Sequence, residues 1–277
     1  MRQETLYVSD LDGTLLNSRD EISPRSLRII NGLIEKGMKF TYATGRSLSS
    51  ASKVTRGLSL HIPVIIYNGA FIREADTEKT LYSVRFSEEE QKYIENFLEG
   101  AGLFPLVYTY REGEEKVLWY PSHENEGIRR YLSCRKGDKR MEPVENGGSV
   151  YQGNMFYFTC IGEKEELLKA YNCLRADGRF RITLQQELYR PEYWLEIMPA
   201  KASKAEAIRE LKKLWRCERI VSFGDSMNDI PMFSVSDEAY AVENAVEELK
   251  KHASGTIPSN DDDGVAEFLQ KRFFTSD

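Results

Sequence analysis

The 277-residue chain has 41% apolar and 30% charged side chains and a net charge of −6. That is enough for a real core and too acidic for general binding to nucleic-acid phosphates. No apolar run reaches the length of a membrane span and no apolar leader opens the sequence, so a cytoplasmic protein with no membrane partner is expected.

The length favours two domains. Cys134, Cys160, Cys173 and Cys217 form no close-spaced pair and read as reduced packing residues. His61, His123 and His252 are too scattered for a histidine metal site.

An apolar strand over residues 6–8 ends in Asp10-Leu11-Asp12-Gly13-Thr14. Side chains two apart along a strand share a face. Asp10 and Asp12 are therefore expected to aim at one spot beyond the carboxyl edge of a sheet, where ligands bind in open α/β folds. Like charges this close raise each other's pKa, so the pair shares a proton or holds a cation. The competing reading is a strand that ends in an Asp-Gly turn.

Ser23-Pro24 marks an N-cap with proline at the first helical position. Leu27, Ile30, Leu33 and Ile34 give the stripe of a helix that stops at Gly37. A second strand over 38–43 ends in Thr44-Gly45-Arg46, a helix follows from Ser47, and a third buried strand over 63–67 ends in Asn68-Gly69. This alternation predicts a doubly wound parallel sheet. Short runs at 71–72 and 81–84 suit a hairpin leading out of it.

From about residue 84 to 190 the pattern becomes that of an inserted α+β unit. Ser87 and Glu90 form a capping box for a helix to Gly100. Strands are expected at 104–110, 116–120, 155–160, 180–185 and 194–198, with a helix from Ser122 and another over 163–174. The core then comprises residues 1–83 and 191–277. The basic cluster Arg129, Arg130, Arg135, Lys136, Lys139 and Arg140 reads as a solvated face, or else as a positive rim that draws in anions.

Ser203 and Glu206 form a second capping box. Lys204 falls at the first helical position, where the dipole disfavours a cation and favours an anion; either it is an exposed lysine or it meets an anion. Lys201 is the competing choice. Strands over 220–223 and 239–242 follow, the first ending in Gly224-Asp225-Ser226-Met227-Asn228-Asp229. Asp225 and Asp229 are spaced to share a ligand or to serve as simple caps. Residues 260–264 read as a capped loop before a short last helix, and residues 273–277 as a frayed end.

Laid side by side, these strand ends would bring together Asp10, Asp12, Thr44, Lys204, Asp225 and Asp229. Acids suit a hard cation, and a hydroxyl, amides and a lysine suit an anion. Mg²⁺ fits, because it takes few carboxylates and works against phosphates. One carboxylate facing the open site can attack phosphorus, and a neighbour of raised pKa can protonate the leaving oxygen.

Asp-Leu-Asp-Gly-Thr-Leu, Thr44-Gly45-Arg46, Lys204 and Gly-Asp-Ser-Met-Asn-Asp resemble the four motifs of the haloacid dehalogenase-like (HAD) superfamily phosphatases. The insertion after the second motif, Tyr67-Asn68-Gly69-Ala70 and the segment from Asn260 to Ala266 resemble its Cof-type branch. The resemblance implies a HAD-like Rossmannoid core with an inserted cap, and the strand order expected of that core is 5-4-1-2-3. It also implies Mg²⁺-dependent hydrolysis of small-metabolite phosphate monoesters, a sugar phosphate or a cofactor phosphate, through an aspartyl-phosphate.

By that resemblance Asp10 is the nucleophile and Asp12 the general acid, then base. Thr44, with a neighbouring amide at Gly45, and Lys204 would bind the phosphoryl oxygens. Asp10, the backbone carbonyl of Asp12, and Asp225 would ligate Mg²⁺, with Asp229 holding a coordinated water or Lys204. Asn228 sits where relatives contact phosphate, and Arg46 and Asn68 are further candidates on the substrate side. Lys204-Ala205 stands where relatives often have Lys-Gly, a change a first helical turn tolerates.

The insertion would close over the site, exclude water and select the leaving group. Tyr108, Trp119 and Tyr120 would then line a lid or, alternatively, pack in its core. The competing functions are a phosphomutase of the same superfamily and a non-catalytic phosphate- or metal-binding module. The sequence sets no oligomeric state, and a monomer is compatible with it.

Overall fold

The computed structural model describes residues 4–186 and 190–275. Its chain divides into two compact units, one made of residues 1–83 and 202–277 and the other of Val84–Lys201.

In the first unit, β1 (Thr5–Ser9) leads into a tight turn and then α1 (Pro24–Glu35), capped by the Ser23 hydroxyl, which accepts from the Ser26 amide. β2 (Lys39–Tyr42), α2 (Leu48–Val54), β3 (Val64–Ile66), β4 (Phe71–Arg73) and β5 (Thr80–Ser83) follow. The chain then enters the second unit, which contains α3 (Glu88–Gly100), β6 (Leu106–Arg111), β7 (Glu114–Trp119), α4 (Glu126–Ser133), β8 (Met141–Pro143), β9 (Asn154–Gly162), α5 (Lys164–Asp177), β10 (Phe180–Gln186) and β11 (Tyr193–Pro199). It returns through α6 (Lys204–Leu214), β12 (Arg219–Gly224), α7 (Ile230–Ser234), β13 (Glu238–Val242), α8 (Glu247–Lys250), β14 (Gly255–Ile257) and α9 (Gly264–Thr275).

The first unit is built on a five-stranded parallel sheet ordered β14-β13-β12-β1-β2. Its inner strands are apolar and buried; Leu6 and Val8 of β1 and Ile220, Val221 and Phe223 of β12 lie in the core. The expected order holds for four strands and differs at the edges. β14 is an added edge strand. β3 belongs to an antiparallel sheet with β4 and β5, tied to the parallel one through a bridge between Ala43 and Ile65. The tight Tyr67–Gly69 turn folds the chain straight back, so β4 pairs with β3 at once.

The second unit is a six-stranded sheet ordered β10-β11-β9-β6-β7-β8, antiparallel except for β7 with β8. Ile94 and Leu98 of α3 and Leu167 and Leu174 of α5 share its core with Val107, Phe158, Leu195 and Ile197. The unit ends later than the expected limit near residue 190, because β11 pairs with β9 and β10. Ser122 lies in a short helical turn, and the helix starts instead beyond Asn125, whose side chain accepts from the Ile128 amide.

Helix α4 stops at Ser133, so Arg135 to Arg140 is not helical. There Arg140 pairs with Glu115 at 2.5 Å and Asp138 at 2.6 Å, and Arg130 pairs with Glu126 at 2.7 Å and Glu192 at 2.5 Å. Two of the six basic residues of the cluster, Arg130 and Arg140, are thus paired with acids, while Arg129 and Arg135 donate to backbone carbonyls. Tyr108 is buried with its hydroxyl 2.7 Å from that of Tyr131, Trp119 donates to Glu124, and Tyr120 packs against the core.

The expected fraying from Phe273 is replaced by helix to Thr275, and the final two positions of that expectation lie outside the described residues. Among the described residues no helix is long and apolar enough to cross a membrane.

Candidate active site

Three adjacent strands carry the site. In register, Ser9 of β1 lies opposite Tyr42 of β2 and Phe223 of β12. Asp10 follows at once, and Thr44 and Asp225 one position later, so all three leave the sheet at the same edge. The Asp10 amide donates to the Phe223 carbonyl at 2.9 Å, extending the ladder by one residue.

Carboxylate oxygens of Asp10, Asp225 and Asp229 all lie within 4.8 Å of one another. The Lys204 ammonium, fully buried at the start of α6, donates to Asp10 Oδ1 and to Asp229 Oδ1, each at 2.7 Å. The exposed-lysine reading is thereby excluded, and Lys201 is exposed instead. The Asp229 Oδ2 atom accepts from the amides of Asp225 and Ser226 at 3.1 and 3.2 Å. Ser203 caps α6 through the Glu206 amide, while the Glu206 carboxylate turns outward to Arg209, so the expected box is half formed.

The electrostatics follow from this crowding. Burial, then Asp229 and Asp225, pushes the Asp10 carboxyl up against the pull of Lys204. Burial and Asp229 push Asp225 up to about 6, opposed by the Thr14 hydroxyl and Lys204. Burial works to lower the Lys204 pKa, and the two carboxylates outweigh it and raise it.

One ammonium does not satisfy three acids, and a divalent ion relieves what remains. An all-oxygen donor set suits a hard cation, so the residues present fit Mg²⁺.

Asp12 departs from expectation. β1 ends at Ser9, and the chain turns through Gly13 at φ +73°, so alternation along a strand does not govern the pair. Asp10 is buried among the acids. Asp12 is half exposed and faces Arg46, whose Nε is 3.0 Å from both of its oxygens. Arg46 also reaches Asp20, so this candidate for the substrate side is engaged by two acids.

Thr44 is fully buried, and its hydroxyl accepts from the Arg46 amide at 3.1 Å. Its carbonyl accepts from the Asn68 amide at 2.9 Å. A Cβ built on Gly45 would stand 3.3 Å from the Asn68 amide group. Asn68 is 7% exposed at φ +53°, and its Oδ1 has no hydrogen-bond partner among the described residues. Neighbouring Gly69, at φ +97°, leaves no room for a side chain, since a Cβ would lie 2.1 Å from the Ser203 carbonyl oxygen. That contact presses the Asn68 turn against the start of α6, next to Lys204. Half-buried Asn228 accepts from the Ser226 hydroxyl at 2.6 Å.

Several residues of this frame escaped the sequence reading. Thr14 Oγ1 donates to Asp225 Oδ1 at 2.9 Å. The Asn244 amide donates to the Gly13 carbonyl at 2.8 Å, and its oxygen accepts from the Asn260 amide at 3.1 Å. Asn260 in turn holds the Leu16 carbonyl at 2.9 Å. The position of Asn244, just past the end of β13 and beside β12, is the signal that could have found it. The loop from Asn260 to Gly264 thus braces the turn that carries Asp12, beyond merely capping a helix.

A model of the haloacid dehalogenase-like hydrolases matches residues 7–269. The chain belongs to that family. The assignment to its phosphatases also holds. A Bacillus subtilis 5-amino-6-(5-phospho-D-ribitylamino)uracil phosphatase, YwtE, is 28% identical over 95% of this chain and 96% of its own length. A second from that organism, YitU, is 26% identical over 97% of each. The crystal structure of a Thermotoga maritima protein superposes with a TM-score of 0.79 at 27% identity, covering 97% of both chains.

Proposed function

We propose that this HAD phosphatase hydrolyses the phosphate monoester of a small metabolite, with Mg²⁺, through an aspartyl-phosphate on Asp10. Asp10 carries the reading: it is a buried carboxylate just past the end of β1, held by Lys204 and beside two further acids. In the first step an Asp10 oxygen bonds to phosphorus as the ester oxygen leaves, and Asp12 gives that oxygen a proton. In the second, Asp12 takes a proton from water, the water oxygen bonds to phosphorus, and Asp10 is released with inorganic phosphate.

Thr44 and its following amide, together with Lys204, hold phosphoryl oxygens in the charge-rich transition state. Asp10, Asp225 and the Asp12 carbonyl would hold the Mg²⁺, with Asp229 fixed by Lys204 and two amides. When bound, the ion supplies charge stabilisation to the phosphoryl group. Asn228 and Asn68 serve the substrate side, and the buried, unpartnered oxygen of Asn68 suits a donor on the ligand.

The Bacillus relatives make 5-amino-6-(5-phospho-D-ribitylamino)uracil the first compound to test, followed by sugar phosphates and cofactor phosphates. Phosphate release is measured with Mg²⁺ for the unmodified enzyme and for Asp10→Asn. Turnover that disappears in the variant supports the reading. An undiminished variant, or no release from any ester, sinks it; an isomerised sugar phosphate as product would favour the mutase instead.

A further inference from the structure

The loop after Asp12 contains an acid that the proposed chemistry leaves unused. Residues 17–21 form a tight turn in which the Asn17 amide donates to the Glu21 carbonyl at 3.0 Å and the Asp20 amide donates to the Asn17 carbonyl at 2.9 Å. The Asn17 side chain accepts from the Arg19 amide at 2.9 Å. Asp20 sits at φ +61°, a left-handed conformation that Asp tolerates better than most residues. Both flanks are tied down, since Asn260 holds the Leu16 carbonyl and Asp261 accepts from the Ser18 amide at 2.7 Å. This fixed turn delivers the Asp20 carboxylate to Arg46.

Arg46 is anchored on its other sides too. Its amide donates to Thr44 Oγ1, and its carbonyl accepts from the Tyr67 amide at 3.0 Å. A planar guanidinium reads position and orientation together, and this one spans both oxygens of Asp12. We infer that Asp20, acting through Arg46, is a positioning residue that sets where the Asp12 carboxyl stands for proton transfer to the leaving group. Without Asp20, Arg46 keeps Asp12 as its sole carboxylate among the described residues and moves with it.

The inference rests on Asp12 being the proton donor, so the test must separate the two ideas. The readout is kcat/KM, which covers the steps through departure of the leaving group. It is compared between a sugar phosphate, whose alkoxide needs a proton, and p-nitrophenyl phosphate, whose leaving group does not. The variants are Asp20→Gly and Asp20→Asn, both suited to the left-handed backbone, with Asp12→Asn as reference. Misplacing a proton donor predicts a loss of about 10- to 100-fold on the sugar ester and under about 3-fold on the nitrophenyl ester. Asp20→Asn keeps an acceptor oxygen for Arg46 and should lose less than Asp20→Gly.

Equal losses on the two esters in Asp20→Gly, or no loss on either, overturn the inference while leaving the phosphatase reading intact. If Asp12→Asn shows no such selectivity, or if the unmodified enzyme hydrolyses neither ester, the parent reading fails and takes this inference with it.

Discussion

Lys204→Met removes an ammonium and keeps most of its apolar stem, leaving Asp10 and Asp229 to face each other. The lysine is fully buried, its Nζ is 2.7 Å from each carboxylate, and the acids are 6% and 0% exposed at their side chains. Water therefore cannot replace what is lost. Removing one partner of a buried ion pair costs about 3–5 kcal/mol because the other charge is stranded. At about 2–4 °C per kcal/mol for a unit of this size, the melting temperature should fall by about 6–20 °C near neutral pH. The loss should shrink towards about pH 5, because a proton on Asp10 does part of the work of the missing ammonium. Thermal unfolding followed by circular dichroism in chelator, at about pH 5 and about pH 8, gives both numbers. A melting temperature within about a degree of the unmodified protein, or a loss of equal size at both pH values, would refute the electrostatic account.

Asp10→Asn should reduce turnover by about 10⁴-fold or more while the protein stays folded, read as phosphate release beside a circular dichroism spectrum. Asp225, pushed up to about 6 from 3.8, holds a proton in the metal-free folded state that the unfolded chain has already released. The contribution of Asp225 to metal-free stability should therefore fall by up to about 3 kcal/mol as pH rises from about 4 to 6, then level off. Denaturant titrations in chelator, compared between the unmodified protein and Asp225→Asn, check this: the difference between the two should carry the fall. Gly13→Ala would place a Cβ 2.5 Å from Asp225 Oδ2 at φ +73°. Mg²⁺ affinity by calorimetry should drop about 10-fold or more as that ligand is displaced. Gly69→Ala forces a Cβ against the Ser203 carbonyl, which is backbone and cannot swing aside; a loss of about 3 kcal/mol or more is expected, with soluble yield the first sign.

The periodic elements were legible because each has a local cause. Ser23-Pro24 capped α1, Ser87 and Glu90 closed the box of α3, and buried apolar runs marked the strands of the parallel sheet. What failed depended on contacts distant in sequence. β14 is a three-residue strand, Gly255–Ile257, that exists because β13 offers it an edge. β8 likewise exists only beside β7.

At the site, the convergence of Asp10, Lys204, Asp225 and Asp229 could be anticipated from where their strands and helix begin and end. The parting of Asp12 from Asp10 could not, because it follows from the left-handed backbone of Gly13 and from the charge of Arg46, on another loop. Side-chain alternation is a property of strands, and the strand had already stopped at Ser9. Thr14 and Asn244 were missed for a related reason: their role is to fix a carboxylate and a carbonyl, and no spacing rule marks a residue that serves another.

The cost of the acidic cluster explains why its supports are so many. When ionised, three carboxylates and one ammonium carry a net charge of minus two in a space where burial already opposes charge. Such a group collapses by rotamer change or by taking up protons unless each member is tied down. Asp229 is held by two amides and a lysine, Asp225 by the Thr14 hydroxyl, and the turn after β1 by Asn244 and Asn260. Glycine at 224 is part of the same arrangement, since a Cβ there would lie 2.8 Å from the Asp229 carboxylate. The repulsion is therefore preserved rather than relaxed. A dication would bring the group, Lys204 included, to neutrality, and the loop amides would then remain as donors for a phosphate. Affinity for a dication would follow from this charge imbalance, and a variant that relaxes the imbalance should weaken it.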